Sequence, residues 1–202
     1  DLTLRVYGGD STTRIQQEIL LGVGGVKLLR ALREKPRVFH MNEGHAAFLA
    51  LELIREKMAD DIPFDKALDT TRQECIFTTH TPVPAGHDRF NPELMRYALN
   101  RYEKHLNLSH EQLMALGRLN PDDEDETFCM TVLALNSSRA ANGVSELHGS
   151  VSRSMWQNKY NVPADEVPIG HVTNGIHLLG WMSRSARDFW QPRLKSGARF
   201  YE

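Results

Sequence analysis

Two neighbouring segments of the chain repeat one order of hydrophobic and polar positions, at residues 37–56 and 76–99. Each begins with a short apolar run, continues through a polar turn that contains histidines, and ends in an amphipathic helical pattern. Short apolar runs bounded by turn residues predict buried strands. Because loops that leave the carboxyl ends of strands in an open α/β sheet form the ligand crevice, these two turns predict a site.

The first long helix is expected after a short strand at residues 3–7 and a glycine turn. Ser11 or Thr12 is expected to cap this helix, because either side chain can accept a backbone N–H. Apolar residues at a spacing of three to four predict one buried stripe, and they are Ile15, Ile19, Val23, Val26 and Leu29. Three glycines at 22, 24 and 25 each weaken the helix by about 1 kcal/mol relative to alanine. A close approach to a neighbouring backbone would explain them.

The remaining pattern predicts an alternation of helices and strands. Helices are expected at 44–58, 63–74, 92–106, 110–118, 128–141 and 148–160, and strands at 38–39, 75–80, 141–147 and 167–173. Asn91 and Ser109 are expected to cap the helices at 92–106 and 110–118. A strand followed by helices and a further strand predicts a right-handed crossover, and hence an α/β fold with a parallel sheet. The acidic loop at 120–127 is interpreted as a solvated segment without a specific task.

Composition excludes several classes of function. Of the 202 residues, 41% are hydrophobic and 25% are charged, which is typical of a soluble globular protein. The net charge of −2 offers no basic field for nucleic acid or an anionic membrane surface. Two cysteines, Cys75 and Cys129, lie in apolar surroundings and are expected to be reduced thiols of a cytoplasmic protein. The abrupt first strand, without a leader, suggests a piece of a longer polypeptide.

The polar turns leave more than one chemistry open. His40 and His45 straddle a strand end, so their spacing does not predict converging metal ligands, and no metal is expected. The chain has neither a glycine-rich nucleotide loop nor a serine nucleophile elbow. Turns rich in histidine, asparagine, threonine and aspartate match a neutral polyhydroxylated ligand such as a sugar. The alternative is that these side chains serve only as turn and helix caps.

Five ordered blocks of sequence carry a resemblance to a known family. They are Arg14-Ile15-Gln16-Gln17-Glu18, Asn42-Glu43-Gly44-His45, Thr79-His80-Thr81, Ala141-Asn142-Gly143-Val144 with His148, and Thr173-Asn174-Gly175-Ile176 with Trp181. In this order they resemble the α-glucan (glycogen, starch and maltodextrin) phosphorylases across nearly the whole chain. The segment HTPVPAGHDRF is similar to the shorter bacterial and archaeal members.

This resemblance implies a fold and a reaction. The fold is the B-type glycosyltransferase architecture of two Rossmann-like halves, and residues 1–202 would be a fragment of the N-terminal half. The reaction is reversible phosphorolysis, in which orthophosphate attacks the terminal α-1,4-linked glucose of an α-glucan and releases α-D-glucose 1-phosphate. The cofactor is pyridoxal phosphate, bound through the C-terminal half, which is absent here. The isolated fragment is expected to be inactive, and a homo-oligomer of the full-length protein is left open.

The resemblance also assigns roles to individual residues. His80 would be the catalytic residue that bonds the glucose 6-hydroxyl, and Val144 and Asn174 would contact the same glucose. Glu43 and His45 would lie beside the β face of the sugar, with a turn-stabilising pair as the alternative. Asp10 would belong to a loop that gates the site.

The chain departs from the family pattern at two places, and two rival functions remain open. Glu43-Gly44 replaces an aspartate-threonine pair of the family, and the segment between Asp10 and Arg14 is shorter than in animal enzymes, which puts the gate contacts and nucleotide regulation in question. The rivals are a non-catalytic carbohydrate-binding or regulatory domain and a sugar-nucleotide-dependent glycosyltransferase.

Overall fold

Four parallel strands organise the larger part of the chain. The computed structural model describes residues 2–4 and 9–193, and the sheet has the order β1-β2-β5-β6. These strands are β1 (Phe39–Asn42), β2 (Cys75–Thr79), β5 (Ala140–Gly143) and β6 (Ile169–His171). All three strand pairs are parallel, which confirms the predicted α/β class.

Helices connect and cover these strands. In chain order they are α1 (Ser11–Ala31), α2 (Leu49–Met58), α3 (Phe64–Glu74), α4 (Pro92–Leu106), α5 (His110–Ala115), α6 (Met130–Asn136) and α7 (Glu146–Tyr160). Short 3₁₀ turns lie at Gly44–Ala46, Pro84–Gly86 and Ala164–Glu166. Two further strands, β3 (Arg89–Phe90) and β4 (Phe128–Cys129), form a small antiparallel pair.

One apolar core lies among these elements. Phe48, Leu51 and Ile54 of the first repeat are fully buried, as their helical spacing predicts. Phe77 of β2 and Phe128 of β4 are buried in the same cluster. Because a buried aliphatic or aromatic side chain contributes about 1.5–3 kcal/mol, this shared core fixes α2 against the sheet and thereby positions the turn before it.

The start of α1 differs from the sequence prediction. Its N-cap is Asp10, whose carboxylate accepts the Thr13 N–H at 2.9 Å, and the expected caps Ser11 and Thr12 lie inside the helix. This hydrogen bond lowers the pKa of Asp10. Of the strand predicted at 3–7, residues 5–7 lie outside the described residues, Thr3 lies in a turn and Leu4 in a bend.

One strand and two helices also differ from their predictions. His40 and Asn42 belong to β1 itself and not to the turn that follows it. The helix expected at 44–58 is a 3₁₀ turn followed by α2, and the helix expected at 128–141 is the strand β4 followed by α6. In both cases the apolar run was correctly predicted as buried, but a run of this kind does not distinguish a strand from the first turn of a helix.

The glycine explanation is confirmed at one position. A Cβ atom on Gly22 would lie 2.7 Å from the Leu49 nitrogen and 2.9 Å from the Ala46 oxygen, so α1 crosses the turn before α2 at backbone contact. A Cβ atom on Gly25 would meet no atom within 4 Å. Close packing therefore requires a glycine at position 22 and not at position 25.

Residues 173–202 form a separate unit. Its described part contains α8 (Leu178–Trp181), α9 (Arg184–Trp190) and a 3₁₀ turn at Gln191–Arg193. Ser183 caps α9 by accepting the Ala186 N–H at 3.2 Å. The expectation that residues 1–202 belong to one Rossmann-like half stays a prediction.

Candidate functional site

The carboxyl ends of the parallel strands lie side by side. In the register of the sheet Asn42 pairs with Thr78, Thr79 pairs with Gly143, and Gly143 pairs with His171. The polar turns after β1, β2 and β5 therefore leave the sheet at one edge, as the repeated pattern predicted. We call this edge, formed by residues 42–48, 79–90 and 143–148, the carboxyl edge.

Glu43 joins two of the turns at this edge. Its backbone N–H donates to the Thr78 oxygen at 2.9 Å. Its Oε1 accepts the His80 backbone N–H and the Thr81 hydroxyl, the latter at 3.0 Å. The backbone of Glu43 has a φ of 66° and a ψ of 173°, a region that costs a non-glycine residue about 1–3 kcal/mol. The hydrogen bonds to the turn after β2 hold Glu43 in this strained conformation.

His80 follows β2 and is exposed at the edge. Its Nε2 lies 2.6 Å from the Asn42 Oδ1. Because an amide oxygen only accepts, Nε2 carries the proton in this contact, and Nδ1 of a neutral His80 is the acceptor nitrogen. The imidazole is thus oriented by β1 while its backbone is held by Glu43.

Side chains behind the edge form a polar ladder across three strands. The His40 Nε2 lies 2.8 Å from the Thr78 hydroxyl oxygen, and that hydroxyl donates to the Asn142 Oδ1 at 3.0 Å. Asn142 in turn donates to the Gly143 oxygen at 3.1 Å. The ladder fixes the register of β1, β2 and β5 just below the turns that carry the candidate site.

Val144 lies at the end of β5, next to the turn that carries His80. Its N–H donates to the His148 Nδ1 at 3.2 Å, and the Ser145 hydroxyl caps α7 by accepting the His148 N–H at 3.1 Å. A Cβ atom on Gly143 would lie 2.9 Å from the Gly149 nitrogen, so a glycine is required where β5 passes the start of α7. Since the Val144 N–H is already donated, its carbonyl is the main-chain group that could contact a ligand.

A second cluster, formed by Arg14, Glu18, His45 and Asp88, lies beside the first. Arg14 Nη2 is 2.7 Å from Asp88 Oδ2, 3.0 Å from Glu18 Oε1 and 3.1 Å from His45 Nδ1. His45 Nδ1 is also 3.2 Å from Asp88 Oδ2 and 3.9 Å from Glu18 Oε1. We call these residues the Arg14 cluster.

The electrostatics of this cluster are unusual. Burial raises the pKa of Glu18 to about 7, because its side chain is only 1% exposed. Hydrogen bonding to Asp88, and then to Glu18, raises the pKa of His45 to about 9. Burial of Asp88 opposes its ionisation, but hydrogen bonds from His45 and Arg14 outweigh burial and lower its pKa below the usual range.

The Arg14 cluster also bears on metal binding. Glu18, His45 and Asp88 each offer one metal-ligand atom, and these atoms lie within 4.8 Å of one another. The Arg14 guanidinium lies within hydrogen-bond distance of the same three atoms, so a cation already occupies the space between them. The expectation of no metal stays a prediction, although the spacing argument behind it did not find this group.

His87 is in the core and not at the exposed edge. Its Nδ1 lies 2.8 Å from the Thr131 hydroxyl, and its ring packs edge-on against Trp156 with centroids 5.0 Å apart. Burial lowers its pKa, which favours the neutral imidazole. A structural role therefore accounts for this histidine of the second turn.

The structure brings together some of the predicted site residues. Glu43 and His80 are in direct contact, and Val144 follows the adjacent strand end. His45 lies in the Arg14 cluster, and Asp10 caps α1. Asn174 belongs to the separate unit of residues 173–202. The sequence prediction missed Asp88, Glu18 and Arg14 as partners of His45, because the segment from Arg14 to Glu18 contributed only to the family resemblance.

A parallel α/β sheet with polar turns gathered at its carboxyl edge defines the class of α/β domains that bind a ligand at the carboxyl ends of their strands. The family model for carbohydrate phosphorylases matches residues 17–192. A glycogen phosphorylase of Mycobacterium tuberculosis (strain CDC 1551 / Oshkosh) is 46% identical over 194 residues, which covers 90% of this chain and 22% of that protein. A maltodextrin phosphorylase of Thermococcus litoralis is 42% identical, covering 88% of this chain and 21% of that protein.

These similarities show that the chain belongs to the carbohydrate phosphorylase family. A glycogen phosphorylase of Aquifex aeolicus is 31% identical over 214 residues, which covers 100% of this chain and 28% of that protein. The chain thus spans between 21% and 28% of the length of these curated relatives. None of the helices that the structure describes combines the length and the hydrophobicity that a membrane span requires.

Proposed function

We propose that this chain supplies the glucose-recognition side of an α-glucan phosphorylase, which transfers the terminal α-1,4-linked glucose to orthophosphate and releases α-D-glucose 1-phosphate. The observation that carries the proposal is the pairing of Glu43 and His80 across two strand ends, beside Val144 on the third. Family membership and the chemistry of these donors and acceptors support it.

His80 is the proposed catalytic contact to the sugar. With Nε2–H donated to Asn42, Nδ1 of the neutral ring can accept a hydrogen bond from a sugar hydroxyl. Because the backbone and the imidazole are both held by neighbours, the contact is preorganised and needs little rearrangement. Glu43, His45, Val144 and Asn174 are proposed as further substrate contacts, and Asp10 as part of the gate.

Pyridoxal phosphate is proposed as the cofactor of the whole protein, held outside this chain. A covalent attachment needs a lysine, and the residues of the carboxyl edge, 42–48, 79–90 and 143–148, contain none. The residues here therefore do not fit the group, and their part is to bind and orient the sugar. The α-glucan, orthophosphate and glucose 1-phosphate are the proposed small-molecule partners, and a cytoplasmic location follows from that substrate class.

The test is phosphate-dependent release of glucose 1-phosphate from maltoheptaose by the intact protein, together with the absorbance of bound pyridoxal. His80→Ala should lower kcat/KM at least about tenfold, which corresponds to about 1.4 kcal/mol of lost transition-state binding. His105→Ala is the matched control, because His105 lies on the exposed part of α4. Activity of His80→Ala within about twofold of the control would refute the role of His80.

The same assay separates the rival functions. A non-catalytic carbohydrate-binding domain would bind maltoheptaose without phosphate-dependent product. A sugar-nucleotide-dependent glycosyltransferase would release product only with a nucleotide donor. Either result would overturn the proposed function.

A further inference from the structure

The Arg14 cluster assembles from three separate parts of the chain. Arg14 and Glu18 lie one turn apart on α1, His45 lies in the 3₁₀ turn after β1, and Asp88 precedes β3. Arg14 and Asp88 are 74 residues apart in sequence, yet their side chains are 2.7 Å apart. The cluster therefore fixes the position of His45 relative to both turns of the candidate site.

The hydrogen atoms of Arg14 determine the direction of the hydrogen bond between His45 and Asp88. Its Nη2 carries two hydrogens and lies 2.7 Å from Asp88 Oδ2, 3.0 Å from Glu18 Oε1 and 3.1 Å from His45 Nδ1. The two nearest are carboxylate oxygens, the stronger acceptors, and they take both hydrogens. With both hydrogens taken by the carboxylates, His45 Nδ1 is left to carry its own hydrogen, which it would donate to Asp88 Oδ2 at 3.2 Å.

The charges of the cluster favour a protonated His45. The charged groups that face it are Arg14 and Glu18 from α1 and Asp88 from the second turn. With both carboxylates ionised, the guanidinium balances only one of them, and an imidazolium balances the other. Asp88 is the permanent counter-ion, because its pKa is held low, whereas Glu18 exchanges its proton near neutral pH.

Burial of Glu18 gives a separate indication that the cluster is a supporting structure. Its side chain is 1% exposed, and among the described residues its Oε2 has no hydrogen-bond partner. A buried and half-satisfied carboxylate is costly, so retaining it needs a compensating interaction. The compensation here is the Arg14 guanidinium, with the His45 imidazole beside it, on its Oε1 side.

We propose that Arg14, Glu18 and Asp88 are positioning residues that hold His45 as an imidazolium at the carboxyl edge, so that His45 meets the sugar only as a hydrogen-bond donor. An imidazolium has no acceptor nitrogen, whereas a neutral imidazole keeps one. His45 would then donate to one sugar hydroxyl, and His80 would accept from another. The sugar half of this statement rests on the proposed function, and the charge state of His45 does not.

The charge state is tested by NMR titration of the histidine imidazoles in the intact wild-type protein. We expect His45 to stay doubly protonated at pH 7.5 and to lose its proton well above 6.5. In Asp88→Asn its midpoint should fall by about 1–2 pH units, because a charged hydrogen-bond acceptor is lost. Wild-type His45 that titrates at or below 6.5 would overturn the proposal without any variant.

A matched control is available elsewhere in the chain. His110 Nδ1 lies 2.7 Å from Glu103 Oε1, the same kind of imidazole–carboxylate pair between α4 and α5. Glu103→Gln should leave the His45 midpoint unchanged, and Asp88→Glu should restore part of the shift. A His45 midpoint that moves equally in Asp88→Asn and Glu103→Gln would also overturn the proposal.

The sugar half is tested by the pH dependence of KM for maltoheptaose. In Asp88→Asn the KM should rise severalfold between pH 6 and 8.5 as His45 loses its proton, while the wild-type KM changes little over that range. A KM that does not change with pH, in a variant whose His45 midpoint has fallen, would refute the sugar contact and leave the charge state established. Failure of the wild type to phosphorolyse any glucan would refute the proposed function, with the NMR result unaffected.

Discussion

Gly22 and Gly25 lie one turn apart on the same helix, and the structure predicts opposite effects for the same substitution. An alanine Cβ at position 22 would lie 2.7 Å from the Leu49 nitrogen, 2.9 Å from the Ala46 oxygen and 3.0 Å from the Phe48 carbonyl carbon. All three are backbone atoms, which cannot move aside as the end of a side chain can. At position 25 no atom lies within 4 Å of the added carbon.

The magnitude follows from two opposing effects. Alanine is favoured over glycine in a helix by about 1 kcal/mol. Overpacking a tight contact costs about 1–3 kcal/mol, and the upper part of that range applies where backbone must shift. Gly22→Ala should therefore destabilise the protein by about 1–2 kcal/mol, whereas Gly25→Ala should stabilise it by up to about 1 kcal/mol.

Urea unfolding followed by far-UV circular dichroism measures both changes. The free energies are comparable only if the two variants keep the wild-type m-value, which shows that the surface exposed on unfolding is unchanged. A Gly22→Ala variant as stable as the wild type would refute the close approach of α1 to the turn before α2. Since this turn carries His45, the same variant should also move the His45 resonances, and Gly25→Ala should not.

Two further predictions concern buried charge. Arg118 is 1% exposed and donates to the Glu126 and Glu124 carbonyl oxygens, both at 2.9 Å. Arg118→Met should therefore lower the free energy of unfolding by about 2–4 kcal/mol and loosen the acidic loop, whereas the exposed control Arg101→Met should change it little. Equal stability of the two variants in urea would contradict this prediction. The folded-state pKa of His45 lies near 9, above its ordinary 6.5, so its contribution to stability is complete below pH 6.5 and is lost as pH rises towards 9. Relative to His45→Gln, the wild type should lose about 1–2 kcal/mol over that window after allowance for solvent screening, and parallel stability curves would refute this.

Local signals in the sequence predicted the parts of the fold that depend on nearby residues. Asn91 caps α4 by accepting the Leu94 N–H at 2.8 Å, and Ser109 forms a capping box with Gln112, as their positions before helical patterns predicted. The parallel sheet followed from apolar runs separated by helical patterns, and those runs are buried. In each case the information lies within a few residues of the element.

The parts that were not predicted depend on contacts between distant residues. The sequence pattern predicts Glu18 only as an ordinary residue of α1. The crossing of α1 over the turn before α2 is what brings its side chain near His45. The acidic loop was interpreted as a solvated segment, yet Glu126 accepts the backbone N–H groups of Leu119 and Asn120, both at 2.9 Å. No spacing rule along the chain indicates either contact.

Glu43 shows how a departure from the family pattern can be accommodated. The chain has Glu43-Gly44 where the resemblance leads one to expect an aspartate and a threonine, and the longer side chain reaches across to the turn after β2. Both hydrogen bonds that Glu43 accepts within the described residues go to Oε1. Because a carboxylate has two acceptor oxygens, Oε2 is the atom through which Glu43 would accept a sugar hydroxyl. The turn-stabilising role and the sugar-binding role, which the sequence presented as alternatives, are therefore compatible in one side chain.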